Sequence, residues 1–384
     1  MLANPSFHYA VARPADAAAI ARELSLAFSF STERAAEYVG NIGLTSFRVL
    51  IGSDGVAASA ALVPTGHFFG GRSVPAANIC HVAIAPQWRG QGLARFLLAE
   101  MEGEALSNGA VMATLFASAR PVYRKIGYEL AGSEIIYEAE TSGLPARATA
   151  SFQVITGDIA ERLSAATASR TAIHNGLLDR APQHWRELFK APRHALAAYA
   201  IDGDVRKGHV LIDTADEACL TLRDWHASGG RAAEAILAFV SGFRSVYPRM
   251  RWHGAPQDDL VFAMPDKGWK LIHQEEWMAK LLAPEKALAA RGYTCQDESM
   301  DFTLTGAEGE RTFGLTVSGG KAGISKPLGK DSVALPESHL APLFSGFRSA
   351  RFLARAQRLS GSAAAIAACD RIFAGPSPWT AEHF

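Results

Sequence analysis

A glycine-rich turn between an apolar stretch and an amphipathic stretch is the part of the sequence best suited to anion binding. The turn Arg89–Ala94 (RGQGLA) follows the strand-like segment Ile79–Ala85. Apolar residues then recur at helical spacing, which predicts a helix from Gly92 to Ser107 that packs on a sheet. The free N–H groups and the dipole at such a helix start favour a pyrophosphate, which the glycines allow to approach closely. Arg89 adds a charged donor.

Two other phosphate-binding patterns are excluded by the residues around this turn. A dinucleotide-binding fold has a third glycine where Arg95 stands, and an acidic residue near the end of the next strand. That strand is predicted at Val111–Ala117 and has no acid near its end. A P-loop requires Gly-Lys-Ser or Gly-Lys-Thr after its first glycine, and this turn has neither.

The pattern R-G-x-G-x-A after a strand resembles motif A of the GNAT superfamily of N-acetyltransferases, which holds the pyrophosphate of coenzyme A. About thirty residues later, Tyr123–Tyr128 (YRKIGY) is similar to the Y-x-x-x-G-[FY] pattern of that family. The resemblance implies that the Tyr123 hydroxyl protonates the departing thiolate, a general-acid role suited to a pKa near 10. Tyr128 begins the next strand and is expected to pack.

The same resemblance implies which residues contact acetyl-coenzyme A, the expected co-substrate. The strand backbone would hold the pantetheine arm, and the turn would hold the pyrophosphate. The expected contacts are Val82, Ala83, Ile84, Arg89, Gly90, Gln91, Gly92, Leu93, Ala94 and Ser118.

The order of predicted elements describes the domains that position these residues. Residues 1–140 read as β-α-β-β-β-α-β-α-β, a mixed α/β domain, and 141–150 reads as a linker. Residues 150–283 partly repeat that order, but their turn Ser228–Arg231 lacks the arginine before the glycines. This second domain is interpreted as a structural wall of the substrate cleft.

The whole chain resembles the Eis-like (enhanced intracellular survival) acetyltransferases. Their organisation implies an α/β (α+β) fold with tandem GNAT-type mixed-sheet domains, followed by a sterol-carrier-protein-like α+β domain at 284–384. It also implies a homo-oligomer, with a hexamer possible. In members that acetylate aminoglycosides, acidic residues line the amine pocket, whereas Leu24–Thr32 carries no acid here. The acceptor is expected to be a small-molecule or lysine-type primary amine.

The chain end is the second feature with chemical potential. Trp379 and Phe384 are apolar groups better buried than exposed, and Pro376 and Pro378 favour an extended tail that could enter a cleft. In the resembling family the terminal phenylalanine carboxylate lies in the catalytic centre. The resemblance therefore implies that the Phe384 carboxylate is the general base opposite Tyr123.

Composition limits the partners and the compartment. The 384 residues carry 38 cationic and 38 anionic side chains, which argues against nucleic acid or an anionic membrane as the main partner. No apolar run approaches the ~20 residues of a membrane span, and residues 1–6 do not resemble a secretion signal. The four cysteines are far apart, so we expect a cytoplasmic protein without a metal site. The alternative function is a non-catalytic protein that keeps the fold and binds an acyl-coenzyme A or apolar ligand.

Overall fold

Two β-sheets with helices on their faces form the described part of the chain, which comprises residues 7–146, 150–190, 196–307 and 309–384 of a computed structural model. One sheet has fourteen strands and the other has five. The predicted fold class is confirmed. The elements of the first segment are β1 (His8–Val11), α1 (Ala17–Phe28), α2 (Thr32–Ile42), β2 (Phe47–Gly52), β3 (Gly55–Phe69), β4 (Arg72–Ile84), α3 (Leu93–Ser107), β5 (Met112–Phe116), α4 (Arg120–Arg124) and β6 (Glu129–Glu140).

This order agrees with the sequence prediction except for α2, which the prediction lacked. Ser31 caps α2, because its side-chain oxygen accepts a hydrogen bond from the Arg34 backbone N–H at 3.1 Å. Only one narrow stripe of α2 is buried, including Val39 and Ile42. The helix therefore gave a weak apolar pattern, although serine at its start is a common N-cap.

The second segment exchanges strands with the first. In the large sheet, β5 and β6 are separated by the last strand of the second segment, and β6 in turn pairs with a strand of that segment. The two segments therefore share one continuous sheet. The elements are β7 (Phe152–Val154), α5 (Ile159–Ser164), α6 (Thr167–Ile173), β8 (Leu178–Asp179), α7 (Pro182–Leu188), β9 (Leu196–Ile201), β10 (Gly208–Asp213), β11 (Cys219–Ala227), α8 (Gly230–Ser241), β12 (Arg249–His253), α9 (Asp259–Ala263) and β13 (Trp269–Leu281).

The third segment forms the five-stranded sheet, and its tail returns to the large sheet. The linker predicted at 141–150 lies partly outside the described residues. Among the described helices, none has the length and apolar character to cross a membrane. The elements are α10 (Pro284–Ala290), β14 (Asp297–Gly306), β15 (Gly309–Ser318), β16 (Lys321–Ser325), β17 (Ser332–Pro336), α11 (Leu340–Ser345), α12 (Ala350–Arg355), β18 (Ser360–Gly361), α13 (Ala363–Ile372) and β19 (Trp379–Thr380).

The tip of the β3–β4 hairpin packs against the third segment with no space for a side chain. Gly70 has φ 57°, and a Cβ there would lie 2.2 Å from the carbonyl oxygen of Gly292. The Gly292 N–H donates to the Phe69 carbonyl at 2.9 Å, and Phe69 meets the Phe344 ring edge to face at 5.2 Å. The hairpin tip thus fixes the third segment against the sheet.

Replacing Gly70 by alanine is expected to lower the free energy of unfolding by about 1–3 kcal/mol, because the methyl group overlaps the backbone of Gly292. Gly71→Ala is a matched control, since Gly71 also has a positive φ but no atom within 4 Å of its Cβ position. Denaturant titration of both variants measures the difference. Equal losses would mean that backbone conformation, and not the contact, explains the glycine.

Candidate active site

The strands β4 and β5 lie side by side over only three residue pairs and then separate. They pair in parallel register from Ala76–Met112 to Asn78–Thr114. Beyond Asn78, β4 continues to Ile84 with β3 on its other side, and no described strand pairs with its β5-facing edge. Backbone N–H and C=O groups at that edge are therefore available to an extended ligand that carries amides.

The gap between β4 and β5 beyond the Asn78–Thr114 pair is here called the split. A β-bulge bends β4 where the split begins. His81 and Val82 together face the single residue Ala60 of β3, and His81 has φ 53°. The His81 ring packs on Tyr38 and Phe28, with centroid distances of 4.4 and 4.9 Å. Burial, and secondarily nearby cationic groups, lower the pKa of His81 to about 4. A neutral imidazole, whose Nδ1 has no partner among the described residues, thus borders the split.

The turn after β4 has the backbone that an anion site requires. Gly90 and Gly92 have φ values of 76° and 82°, and no atom lies within 4 Å of either Cβ position. Gly92 is the N-cap of α3, so the free N–H groups of the helix start at the turn. Arg89 Nε donates to the Ile84 carbonyl at 3.2 Å, which keeps the exposed guanidinium beside the end of β4. A pyrophosphate fits the donors of this turn.

Tyr123 lies in α4, shortly after the free end of β5. It is buried in the apolar cluster that contains Leu97, Leu115 and Met278, on the α3 face of the sheet. Burial raises the pKa of Tyr123 above its ordinary value, so the hydroxyl is protonated at neutral pH. Its hydroxyl makes no hydrogen bond within the described ranges.

Phe384 lies at the same split but on the other face of the sheet. Its ring centroid is 4.9 Å from that of Phe116, 5.5 Å from His67 and 6.4 Å from Trp277. Trp277 belongs to the cluster opposite the α3 face, because strand neighbours such as Trp277 and Met278 point to opposite sides. Phe384 is buried, with 6% of its surface exposed. Tyr123 and Phe384 therefore approach the split from opposite sides.

A buried polar network closes the base of the split. His67 Nε2 lies 3.3 Å from both the Asn78 and the Thr114 side-chain oxygens, at the last pair that joins β4 to β5. His67 Nδ1 lies 2.9 Å from the Gly176 carbonyl, and Asn78 Nδ2 lies 3.4 Å from His184 Nε2. Burial lowers the pKa of His67, and that of His184 to about 4, so both rings are neutral. The network supports the Phe384 ring without placing a charge beneath it.

A buried ionic cluster attaches the tail to the second segment. Arg180 Nε contacts Glu382 Oε1 at 2.6 Å, and Arg180 and Arg170 contact Asp224 at 2.7 and 2.6 Å. Burial alone would raise the pKa of Glu382, but the charges of the two arginines outweigh it and lower the pKa. Upstream, Trp379 is 1% exposed in β19, which pairs with β6. These contacts position residues 383 and 384 beside the split.

A second anchor surrounds the buried carboxylate of Glu134 in β6. Its oxygens lie 2.8 Å from His383 Nδ1 and 3.0 Å from His253 Nε2, and the His383 ring stacks on Phe116 at 4.1 Å. Burial disfavours the charged forms of Glu134 and His383. The hydrogen bonds of Glu134 to the two histidines nevertheless lower its pKa to about 2, and the hydrogen bond to Glu134 raises the pKa of His383. His383, the residue before Phe384, is thus held by an ion pair.

This anchor is expected to be stronger at low pH. The raised pKa of His383 means that its contribution is complete below about 6.5, the ordinary histidine value, and is lost as pH rises through the folded value. Amide hydrogen-exchange protection factors for residues 379–384 should therefore be higher at pH 6 than at pH 9. In Glu134→Gln this difference should disappear. The same pH dependence in both proteins would exclude the His383–Glu134 pair as its cause.

The structure brings the residues predicted for the co-substrate together around the split. Val82, Ala83 and Ile84 form its β4 wall, Arg89, Gly90, Gln91, Gly92, Leu93 and Ala94 lie at its end, and Ser118 is exposed just after β5. The contacts that hold the tail could not be predicted from the sequence, because Glu134 and His383 are 249 residues apart. One signal was available: Glu134 directly precedes the apolar run Ile135–Tyr137 in β6. Within the described ranges, ligand atoms of Glu134, His273 and Glu275 lie within 4.8 Å of one another, a spacing that could hold a metal ion. The absence of a metal stays a prediction.

Comparison with known families assigns each segment. Residues 8–131 and 176–281 match models of an acetyltransferase (GNAT) domain, and residues 284–381 match a sterol carrier protein domain. An uncharacterized N-acetyltransferase of Streptomyces griseus is 25% identical over 355 residues, covering 82% of this chain and 83% of the relative.

Two solved structures are similar over nearly the whole chain. A GCN5-related N-acetyltransferase from Anabaena variabilis is 29% identical, with a TM-score of 0.89 and coverage of 98% of this chain and 100% of the other. Eis1 from Mycobacterium abscessus has a TM-score of 0.76 and 19% identity, covering 98% of this chain and 100% of its own. The second similarity concerns the fold alone.

Proposed function

The chain is an acyltransferase of the GNAT type with two acetyltransferase domains and a sterol carrier protein domain, and we propose that it transfers acetyl from acetyl-coenzyme A to a primary amine. The observation that carries this proposal is the split between β4 and β5, which has an unpaired strand edge and ends at the Arg89–Ala94 turn. The edge would hold the amides of the pantetheine arm, and the turn would hold the pyrophosphate.

The proposed general acid is Tyr123. A hydroxyl with a raised pKa stays protonated at neutral pH and can donate its proton to the departing thiolate. Its ring packs among apolar side chains, which restricts where the hydroxyl can lie.

The proposed general base is the α-carboxylate of Phe384, directly or through a water molecule. The amine must lose a proton before or during its attack on the thioester, and a base on the face opposite Tyr123 can take that proton. Support comes from the ion pairs of Glu382 with Arg180 and of His383 with Glu134, which restrict the position of the residue that follows. Such restriction favours a defined position over a frayed chain end.

Calorimetric titration of acetyl-coenzyme A, followed by a thiol-release assay with a panel of amines, tests the proposal. The panel contains aliphatic monoamines and diamines, a lysine peptide and an aminoglycoside. We expect binding and amine-dependent thiol release. Gly92→Asp provides a binding-deficient control, because bulk and negative charge enter the exposed turn. Binding without thiol release from any amine would favour the non-catalytic alternative, and no binding would exclude the proposed donor site.

We also propose that the protein forms a homo-oligomer. The stretch 262–272 exposes several large apolar side chains, namely Phe262, Trp269, Leu271 and Ile272, and Phe262 is 90% exposed. Light scattering at micromolar concentration should give a mass above the 41.0 kDa of one chain. A monomer mass would contradict the proposal.

A further inference from the structure

A groove of about 490 Å³ lies between the first acetyltransferase domain and the sterol carrier protein domain. One wall is a face of α3 with Arg95, Ala99 and Glu102, next to the end of α4 at 124–127. The opposite wall is formed by 305–307 and 336–338 of the third domain. The groove thus adjoins the first turn of α3, where the proposed pyrophosphate site begins.

The groove carries unpaired positive charge. Four cationic and two anionic side chains line it, and most of them have a partner of opposite charge. The ion pairs are Lys280–Glu102 at 2.6 Å, Arg124–Glu129 at 2.7 Å and Arg311–Glu337 at 3.0 Å. Arg95 and Lys125 are exposed and make no ion pair with any residue that the structure describes. A groove with two uncompensated cations favours an anionic ligand.

We propose that Arg95 and Lys125 bind the 3′-phosphate of the coenzyme A nucleotide, and that the third domain forms the far wall of this subsite. The inference rests on the proposed function, because it starts from a pyrophosphate held at Gly90–Gly92. Arg95 is the third residue of α3, so its side chain starts one helical turn from that site. A phosphate monoester carries nearly two negative charges at pH 7 and takes charge-assisted hydrogen bonds from arginine and lysine.

This subsite would make the enzyme select coenzyme A among pantetheine carriers. Dephospho-coenzyme A has the same pantetheine and pyrophosphate but lacks the 3′-phosphate. A carrier that presents phosphopantetheine alone lacks the whole nucleotide. Neither ligand would offer a 3′-phosphate to Arg95 and Lys125. Dephospho-coenzyme A would still bind the turn and the strand edge as coenzyme A does.

Calorimetric titration of the full-length protein with coenzyme A and with dephospho-coenzyme A tests the subsite without an acceptor. The parent protein should bind coenzyme A at least about tenfold more tightly, the usual size of one charge-assisted hydrogen bond. Arg95→Ala and Lys125→Ala should each reduce this ratio by weakening only coenzyme A. Arg244→Ala and Lys267→Ala remove exposed cations of the second domain and should leave it unchanged.

A further variant tests the far wall. Thr305 is exposed at the groove, so Thr305→Glu adds a negative charge there and should weaken coenzyme A more than dephospho-coenzyme A. Equal affinity of the parent for both ligands, or equal weakening of both in the Arg95 and Lys125 variants, would overturn the subsite and leave the proposed function intact. Failure of the parent to bind either ligand would overturn the proposed function together with this inference.

Discussion

Deletion of Phe384 is expected to lower kcat about 10²–10⁴-fold, the usual contribution of a general base, with little change in acetyl-coenzyme A affinity. The loss follows because the α-carboxylate would move back to His383, whose side chain is held by the ion pair with Glu134. The pyrophosphate turn and the β4 edge, which are expected to bind the donor, make no use of Phe384. Steady-state turnover beside calorimetric affinity measures both quantities.

Two related variants separate the carboxylate from the ring. Phe384→Leu keeps a terminal carboxylate at the same position and should retain much more activity than the deletion. A single glycine appended after Phe384 keeps the ring but converts its carboxylate into an amide, and should be nearly as inactive as the deletion. If the deleted and extended proteins both turn over like the parent, the tail does not act in catalysis.

Tyr123→Phe is expected to lower kcat by a similar factor, about 10²–10⁴-fold, because it removes the proposed acid and keeps the ring. Stability should change little, since the hydroxyl makes no hydrogen bond to the described residues. Kinetics over a pH series provide a second readout. On the alkaline side of the profile, the parent should lose activity as the raised pKa of Tyr123 is approached, and the variant should lack this decline.

Tyr128→Phe is a matched control for this effect. Tyr128 is buried in the same cluster as Tyr123, with ring centroids 6.1 Å apart, and its hydroxyl faces the Glu102 carboxylate. Its kcat should remain within a few-fold of the parent, because this hydroxyl has no proposed role in proton transfer. Equal losses in the two variants would show that the cluster, and not a particular hydroxyl, is required.

Local features of the site could be predicted from the sequence because adjacent residues determine them. The turn at Arg89–Ala94 is fixed by two glycines and an amphipathic helix, and the structure gives both glycines positive φ values. The burial of Trp379 and Phe384 also follows from the sequence, since apolar groups on an extended tail are stabilised by a cleft. These inferences require only spacing and residue type.

Long-range features could not be predicted in the same way. The insertion of β13 between β5 and β6 depends on pairing between strands more than a hundred residues apart, which no local pattern encodes. The Arg180–Glu382 contact joins residues 202 positions apart. Charged residues in the sequence could be recognised, but their partners could not, because each contact depends on the path of the folded chain.

A crystal structure of the full-length protein with coenzyme A tests the central claim most directly. We expect the pantetheine arm between β4 and β5, the pyrophosphate at Gly90–Gly92, and the sulfur within hydrogen-bond reach of the Tyr123 hydroxyl. The Phe384 carboxylate should face the sulfur from the other side of the sheet. Coenzyme A bound outside the split, or a sulfur remote from both groups, would contradict the proposed transfer of acetyl between Tyr123 and Phe384.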